Sequence, residues 1–302
     1  MSLVRRRGEA VGKWLVSGPP IIYLLLFFAV PALIMVLASF RTPGEFGGLA
    51  PLLDEAGKPD LNVDSYVRFF TEPVYAQIFV KSLVYALLTT LICLVIAYPL
   101  ASLIARSPKK HRDLLLLLVI LPFWSNFLIR VYAWMIVLGP QAALARTVNG
   151  LLAWFGIGPV SLLFSSFAVL VCLVYVHLPF MVLPLYANLE KHDQALLDAA
   201  QDLGANTWQR FWRITFPLSL PGVYAGAALV FIPALGIFAI PDILGGPDDS
   251  LIGNVIKQQF LETRDWPFGS VLSIVLTLAA LALAGVAAWI GSRSTRREAS
   301  GA

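Results

Sequence analysis

The chain has 302 residues, of which 58% are hydrophobic and only 13% are charged. Soluble domains carry about 25% charged residues, so a water-soluble globule is excluded. The formal charge of +4 does not point to nucleic acid, because Lys and Arg flank apolar blocks instead of forming one patch. Those blocks run to about 20 residues, the length that crosses about 30 Å of hydrocarbon. Cys93 and Cys172 both fall inside apolar blocks, which argues against a disulfide framework. The fold class expected is therefore all-α: a polytopic membrane protein with six transmembrane helices and one sizeable cytoplasmic loop.

Residues 1–18 hold Arg5, Arg6, Arg7 and Lys13 and no apolar run. Gly8 to Lys13 fails as a phosphate-binding loop: only three residues separate Gly8 from Gly12, and Trp14 stands where Ser or Thr must reach Mg²⁺. ATP hydrolysis is thus expected on a separate chain, with no cofactor bound by this one. The block Ile21–Phe40 is too long for a signal peptide and lacks a small-residue cleavage pattern, so it reads as span one. Residues 41–77 are polar, rich in Gly and Pro, and acidic through Glu45, Asp54, Glu55, Asp60, Asp64 and Glu72. Span two is expected at 78–105, followed by a basic loop with Arg106, Lys109, Lys110 and Arg112. Span three is expected at 114–138, a loop with a short helix at 147–155 follows, and span four is expected at 166–189. A polar loop at 190–217 precedes span five at 218–240. Residues 241–267 form a polar re-entrant region, span six is 268–290, and a basic tail holds Arg293, Arg296 and Arg297. The organisation that follows is 1–77 as tail, first span and periplasmic loop; 78–292 as a five-helix core; and 293–302 as a cytoplasmic tail.

Lys and Arg partition unevenly. The tail, the basic loop, the 190–217 loop (Lys191, Arg210, Arg213) and the C-terminal tail hold 14, whereas the other loops hold 6, namely Arg41, Lys58, Arg68, Arg146, Lys257 and Arg264. By the positive-inside rule the first set is cytoplasmic, so both termini and the 190–217 loop face the cytoplasm.

The 190–217 loop reads as two short helices. Asp193 can cap the first, since its carboxylate can accept free N–H groups of the first turn. Leu196, Ala199, Ala200 and Leu203 fall on one face at helical spacing, and Asp198, Gln201 and Asp202 on the other. Gly204 stands where a helix ends in left-handed geometry. Thr207 can cap a second helix, with Trp208, Phe211, Trp212 and Thr215 as its stripe, and Pro217 closes the loop. Such a loop can simply cover its own helix ends. Its spacing also resembles a known signature: Asp198-Ala199-Ala200, three residues, Gly204, nine residues, Ile214, one residue, then Phe216-Pro217 is similar to the "EAA" loop of bacterial ABC importer permeases. Asp replaces the family's Glu, and Phe216 the commoner Leu. The resemblance implies that Asp198, Ala199, Ala200, Gly204, Ile214 and Pro217 belong to a coupling helix that docks into a cleft of the ATPase.

A charged side chain at mid-bilayer costs about 2.5–3.5 kcal/mol on insertion scales. Arg130 is therefore expected either to face the bundle interior as a path or gate residue, or to snorkel outward with Tyr132 and Trp134 as belt residues. His177 in span four reads as a packing residue or a path residue. No His/Cys/Asp cluster has metal spacing, and no paired-carboxylate or Ser-His-Asp arrangement supports catalysis. In span five, Pro233, Gly236 and Pro241 interrupt the helix just before Asp242, and broken helix at membrane depth is tolerated where it lines a cavity. Asp242 is the acid nearest that break, and Trp124, Tyr132 and Trp134 offer aromatic faces for cation–π contact.

Residues 121–135, 175–186, 231–259 and Arg264-Asp265-Trp266-Pro267 together resemble the spermidine/putrescine subfamily of ABC importer permeases, with similarity from about residue 15 to 290. That resemblance implies a permease subunit paired with a second permease in a heterodimer, ATP-binding subunits and a periplasmic substrate-binding protein, in the bacterial inner membrane. It implies alternating access as the mechanism and a polyamine or related small amine as cargo. Ile237 stands where the subfamily commonly has an acid, which implies a weaker hold on a divalent amine. A self-sufficient channel or secondary carrier is the alternative; it needs intramembrane acid relays, and no clear intramembrane Asp or Glu is present.

Overall fold

The structure is a computed structural model describing residues 17–53 and 60–300, with side chains described up to residue 285 except that of Gln194. Arg5, Arg6, Arg7, Lys13, Asp54, Glu55 and Lys58 lie outside the described residues, as do the side chains of Arg293, Arg296 and Arg297. Six helical stretches among the described residues are long and apolar enough to cross a membrane, the third being Phe127–Trp154, which contains two shorter helices. In chain order the helices are α1 (Ser17–Ser39), α2 (Asp64–Thr71), α3 (Pro73–Arg106), α4 (Lys109–Ile120), α5 (Phe127–Leu138), α6 (Ala143–Trp154), α7 (Ser166–Leu189), α8 (Gln194–Asp202), α9 (Thr207–Gly236), α10 (Ala239–Leu244), α11 (Ile252–Leu261) and α12 (Trp266–Ser300). The chain divides into two units, one made of residues up to Pro73 with Ile256–Val275, the other of Val74–Val255 with the remainder of α12.

The first unit is a polar, cross-braced structure on an apolar helix. Nearly every large side chain of α1 is exposed, as expected of a helix whose surroundings are hydrocarbon. Its end is anchored by a hydrogen bond between the Ser39 and Tyr66 hydroxyls, 2.8 Å long, and by Phe40 against Tyr66. Arg41 and Thr42 both donate to Asp60, and Arg41 also donates to the Ala50 and Pro51 carbonyls. Hydrogen bonds from the Thr42 hydroxyl and backbone N–H lower the Asp60 pKa below the ordinary carboxylate value. Gly47, with φ +90°, lets the chain pass against Arg264, where a Cβ would come 2.5 Å from the Arg264 Cβ. Arg68 pairs with Asp265 at 3.2 Å and lies over the Phe268 ring.

The second unit is the bundle. Its tightest contact is α7 against α9, and small residues make it possible. A Cβ on Gly222 would meet Asn188 Cβ at 2.7 Å, and one on Gly226 would meet Met181 Sδ at 2.7 Å. In lipid, helix association rests on such close backbone approach because apolar burial drives little. Cys93, Ala97, Ala101 and Ile104 of α3 pack with Met181, Val182 and Leu185 of α7 and Val223 and Val230 of α9. A second cluster joins Val131 and Leu138 of α5, Val169, Cys172 and Leu173 of α7, and Ile240 and Leu244 of α10.

The third span and the short helix after it differ from expectation. The third span is not one helix over 114–138: α4 ends at Ile120, a 3-10 turn runs Leu121–Trp124, and α5 restarts at Phe127. Pro122 lacks the N–H that would continue α4, and Asn126 caps α5 by accepting the Leu128 N–H at 2.8 Å. The helix expected at 147–155 begins earlier, at Ala143. Span four occupies Ser166–Leu189 as expected.

Candidate functional site

The loop before α9 has the geometry its residues demand. Asp193 Oδ1 accepts the Ala195 N–H at 2.9 Å and starts α8. Gly204 has φ +81°, and the Gly204 and Ala205 N–H groups close the helix end on the Gln201 and Ala200 carbonyls, the C-terminal arrangement that glycine favours. The cap of the next helix is Asn206, not Thr207. Its side chain accepts the Gln209 N–H at 2.8 Å while Gln209 Oε1 accepts the Asn206 N–H at 3.0 Å, a reciprocal capping box. Thr207 is then the first helical residue. Nor does a second short helix end at Pro217. Residues Phe211–Thr215 widen into a π turn, and the helix runs on through Pro217, which is half-buried, so that α9 is one 30-residue rod.

Much of the apolar face of α8 is left uncovered by the described residues. Leu203 is 89% exposed, and Leu196 and Ala199 are exposed with it. Arg210 Nη1 donates to Gln201 Oε1 at 2.7 Å and ties α8 to α9. Behind this pair lies a cleft of about 990 Å³, lined by Tyr98, Arg106, Asp198, Arg210 and Phe211 among others. The Tyr98 ring meets Phe211 edge-on at 5.4 Å, and its hydroxyl hydrogen-bonds Ser219 at 2.9 Å. Ile214 is half-buried at the start of this contact. An ion pair of 2.6 Å between Arg112 and Glu190 fastens α4 to the end of α7.

At the other end of α9 the helix stops at Gly236. Ile237 is extended, with ψ 138°, and α10 starts two residues later. Asp242 sits in the first turn of α10, where a carboxylate complements the helix dipole. Asn254 donates to it and to the Phe238 carbonyl. Asp242 lines a cavity of about 510 Å³ with Phe164, Ser250 and Asn254. Ile237 turns toward the apolar cluster. Gly253 lies under this break, where a Cβ would meet the Gly236 carbonyl at 2.6 Å.

The remaining path candidates do not share one site. The Arg130 guanidinium is half-buried over the rings of Phe123 and Phe127, at 5.4 and 6.0 Å, and its buried Nε has no hydrogen-bond partner among the described residues. Trp134, one turn on, packs edge-on against Tyr175 at 5.5 Å. Tyr132 lies on the opposite face and is exposed, as is Trp124 at 75%. His177 is 3% exposed and bonds the Leu173 carbonyl through Nδ1 at 2.8 Å, the geometry of a packing histidine. No group of His, Cys, Asp or Glu among the described residues could hold a metal ion.

Within the polar stretch expected at 241–267, Asp249 has four hydrogen-bond donors. Buried between α3, α7 and the α10–α11 turn, it accepts from Lys81 at 3.3 Å, Tyr85 at 3.3 Å, Ser166 at 2.5 Å and the Gly246 N–H at 3.0 Å. Burial acts to raise its pKa, but the bonds from Ser166, Gly246 and Lys81 outweigh it and hold the value below normal. The available signal was Lys81, a lone cation inside an apolar span that requires a carboxylate.

Comparison with known proteins fits this geometry. The chain is 43% identical over 280 residues, 92% of its length and 93% of the relative's, to the spermidine/putrescine transport system permease protein PotB of Salmonella typhimurium (strain SL1344). It is 45% identical over 258 residues, 85% of its length and 89% of the relative's, to PotB of Escherichia coli (strain K12). The fold is also that of a chain in the crystal structure of a bacterial alginate ABC transporter in complex with alginate pentasaccharide-bound periplasmic protein, with TM-score 0.73 at 20% identity, covering 95% of this chain and 96% of that one. These similarities set aside the self-sufficient channel or carrier. Residues 97–297 match the family described as binding-protein-dependent transport system inner membrane component, and the chain belongs to that family of multi-pass inner-membrane permease subunits, which work with a partner permease, an ATPase and a periplasmic binding protein.

Proposed function

We propose that this chain is one of two different permease subunits of an ATP-driven importer that carries putrescine, spermidine or a related small amine. The observation that carries the cargo assignment is the 43% identity to a spermidine/putrescine permease over 92% of the chain. Fold alone carries none of it, since a transporter of an acidic polysaccharide shares the fold. Asp242 at a cavity beside the break after α9 supports it, because a carboxylate there favours a cation.

In this reading α8 docks in a cleft of the ATPase through Leu196, Ala199 and Leu203, with Asp198, Ala200, Gly204, Ile214 and Pro217 shaping the contact. ATP is bound by that partner. The Gln201–Arg210 bond passes movement of α8 to α9, a rod about 45 Å long that ends at the break before Asp242. Tilting the rod about its tight contact with α7 opens one end of the bundle as it closes the other, which is alternating access. The α8 end and both termini are cytoplasmic, and the Asp242 end faces the periplasm and the binding protein. Arg130 and Trp134 border the path, His177 packs in the bundle behind them, and Trp124 and Tyr132 face lipid or the sister permease. With Ile237 turned into the core, the passage holds the amine weakly.

The test is uptake by the intact complex in liposomes, with labelled putrescine and spermidine supplied by the binding protein. Both should enter in an ATP-dependent manner, and Asp242→Asn should slow them. Preference for a neutral or anionic solute would remove the polyamine assignment.

A further inference from the structure

Phe164 has φ +54°, a left-handed conformation that is disfavoured for any side chain with a Cβ and is rarely held without a surrounding structure that imposes it. That structure is present. On one side, the Ser161 hydroxyl donates to the Leu163 carbonyl at 2.6 Å, and Leu163 is buried in the apolar cluster. On the other, the Ser165 N–H donates to the Leu244 carbonyl at 3.3 Å, and the Ser165 hydroxyl oxygen accepts from Ala168 at the start of α7. The Phe164 carbonyl itself is crowded by Gly246, where a Cβ would stand 2.8 Å away.

All this fixing does not bury the ring. Phe164 is 59% exposed and lines the 510 Å³ cavity with Asp242, Ser250 and Asn254. A strained backbone that bought only packing would hide its phenylalanine. Asp249, the neighbouring buried carboxylate, is turned to Lys81, Tyr85 and Ser166, whereas Asp242, held by Asn254, is the acid among the residues lining this cavity.

We propose that the Phe164 ring is the aromatic wall of a subsite that receives one alkylammonium end of the cargo, with the Asp242 carboxylate as counter-charge. An ammonium group is attracted to the negative face of an aromatic ring, most strongly where water is excluded. A carboxylate alone would also accept metal ions; a ring beside it favours an organic cation. This inference rests on the polyamine reading and assigns it a specificity-determining residue.

The test uses the complete reconstituted complex, with position 164 carrying phenylalanine bearing one, two or three ring fluorines. Fluorine withdraws charge from the ring face with little change of shape. Putrescine uptake at saturating binding protein should fall stepwise along the series, to about threefold below wild type at three fluorines. Phe164→Tyr should retain most uptake, and Phe164→Leu should be as slow as the trifluoro protein. Thermal midpoints across the fluorinated series establish that all members are folded. If the wild-type complex moves putrescine but uptake is flat across the series, or falls equally at every member, the subsite is wrong while the polyamine reading stands. If the wild-type complex moves no amine, both fall.

Discussion

Lys81 and Asp249 are 168 positions apart in the chain and 3.3 Å apart in space. The pair joins α3 to the turn that follows α10, and Ser166 adds the first residue of α7. The two partners are unequal. Lys81 is 30% exposed along its side chain and can reach water when its partner is lost, whereas Asp249 is 7% exposed and serves four donors. Asp249→Ala leaves the Tyr85 hydroxyl and Gly246 N–H unsatisfied, at about 1–3 kcal/mol for each buried group. Asp249→Ala should therefore lower the thermal midpoint in detergent more than Lys81→Ala does. Equal losses would mean that the ion pair alone matters.

The same carboxylate sets an acid limit. Its folded pKa lies below the ordinary 3.8. A group with a depressed folded pKa contributes stability above its unfolded pKa and loses it as pH falls through the folded value. Asp60, lowered by Thr42, contributes with the same sign. Between pH 5 and 8, on the order of one unit or more above that range, neither should change stability. Below the ordinary carboxylate range, wild type and Asp249→Asn should converge in thermal midpoint. A gap between them that is unchanged down to full protonation would contradict the assignment of the donors around Asp249.

Asp193, Gly204 and the Ser166–Leu189 helix were legible because their signals are local: a cap within two residues, a glycine at a helix end, an unbroken apolar run. The cap at Asn206 was missed by one position because Asn206 and Thr207 are both good caps, and only Gln209 three residues after Asn206 distinguishes them. The break at residues 121–126 is marked by Pro122, Ser125 and Asn126, but the apolar runs on either side let a single span be drawn across them. The role of Asp249 has no local signal, because its partners at 81, 85 and 166 lie far away in the chain. The conformation of Phe164 has no local signal, since phenylalanine is a residue that ordinarily avoids it.

The uneven distribution of Lys and Arg gives a direct test of orientation. Cys93 and Cys172 are buried and can be replaced to give a background free of thiols. A single cysteine at Gly150, where a Cβ meets nothing within 4 Å, should react with a membrane-impermeant maleimide from the periplasmic side. A cysteine at Asn206 should react only after the inner face is opened. The reverse pattern would invert the topology and move Asp242 to the cytoplasmic end.

The coupling role proposed for α8 can be separated from its folding at two positions. A Cβ on Gly204 meets nothing within 4 Å, so substitution there strains the backbone at φ +81° without a clash. Left-handed geometry costs an ordinary residue about 1–2 kcal/mol, and Asn less, because its side chain bonds locally. Gly204→Asn should therefore keep most uptake and Gly204→Ala less. Gly204→Trp, which adds bulk beside the exposed Leu203, should nearly abolish it. Ala200 lies on α8 away from the strained residue and is half-buried. Ala200→Trp adds bulk with no demand on the backbone, so its loss of uptake would be a loss of fit. If docking is the cause, Ala200→Trp and Gly204→Trp should insert normally in the membrane, and the ATPase should release from either complex more readily in detergent. Normal ATP-driven uptake with both substitutions would show that nothing docks on this face and that α8 only covers the end of its own bundle.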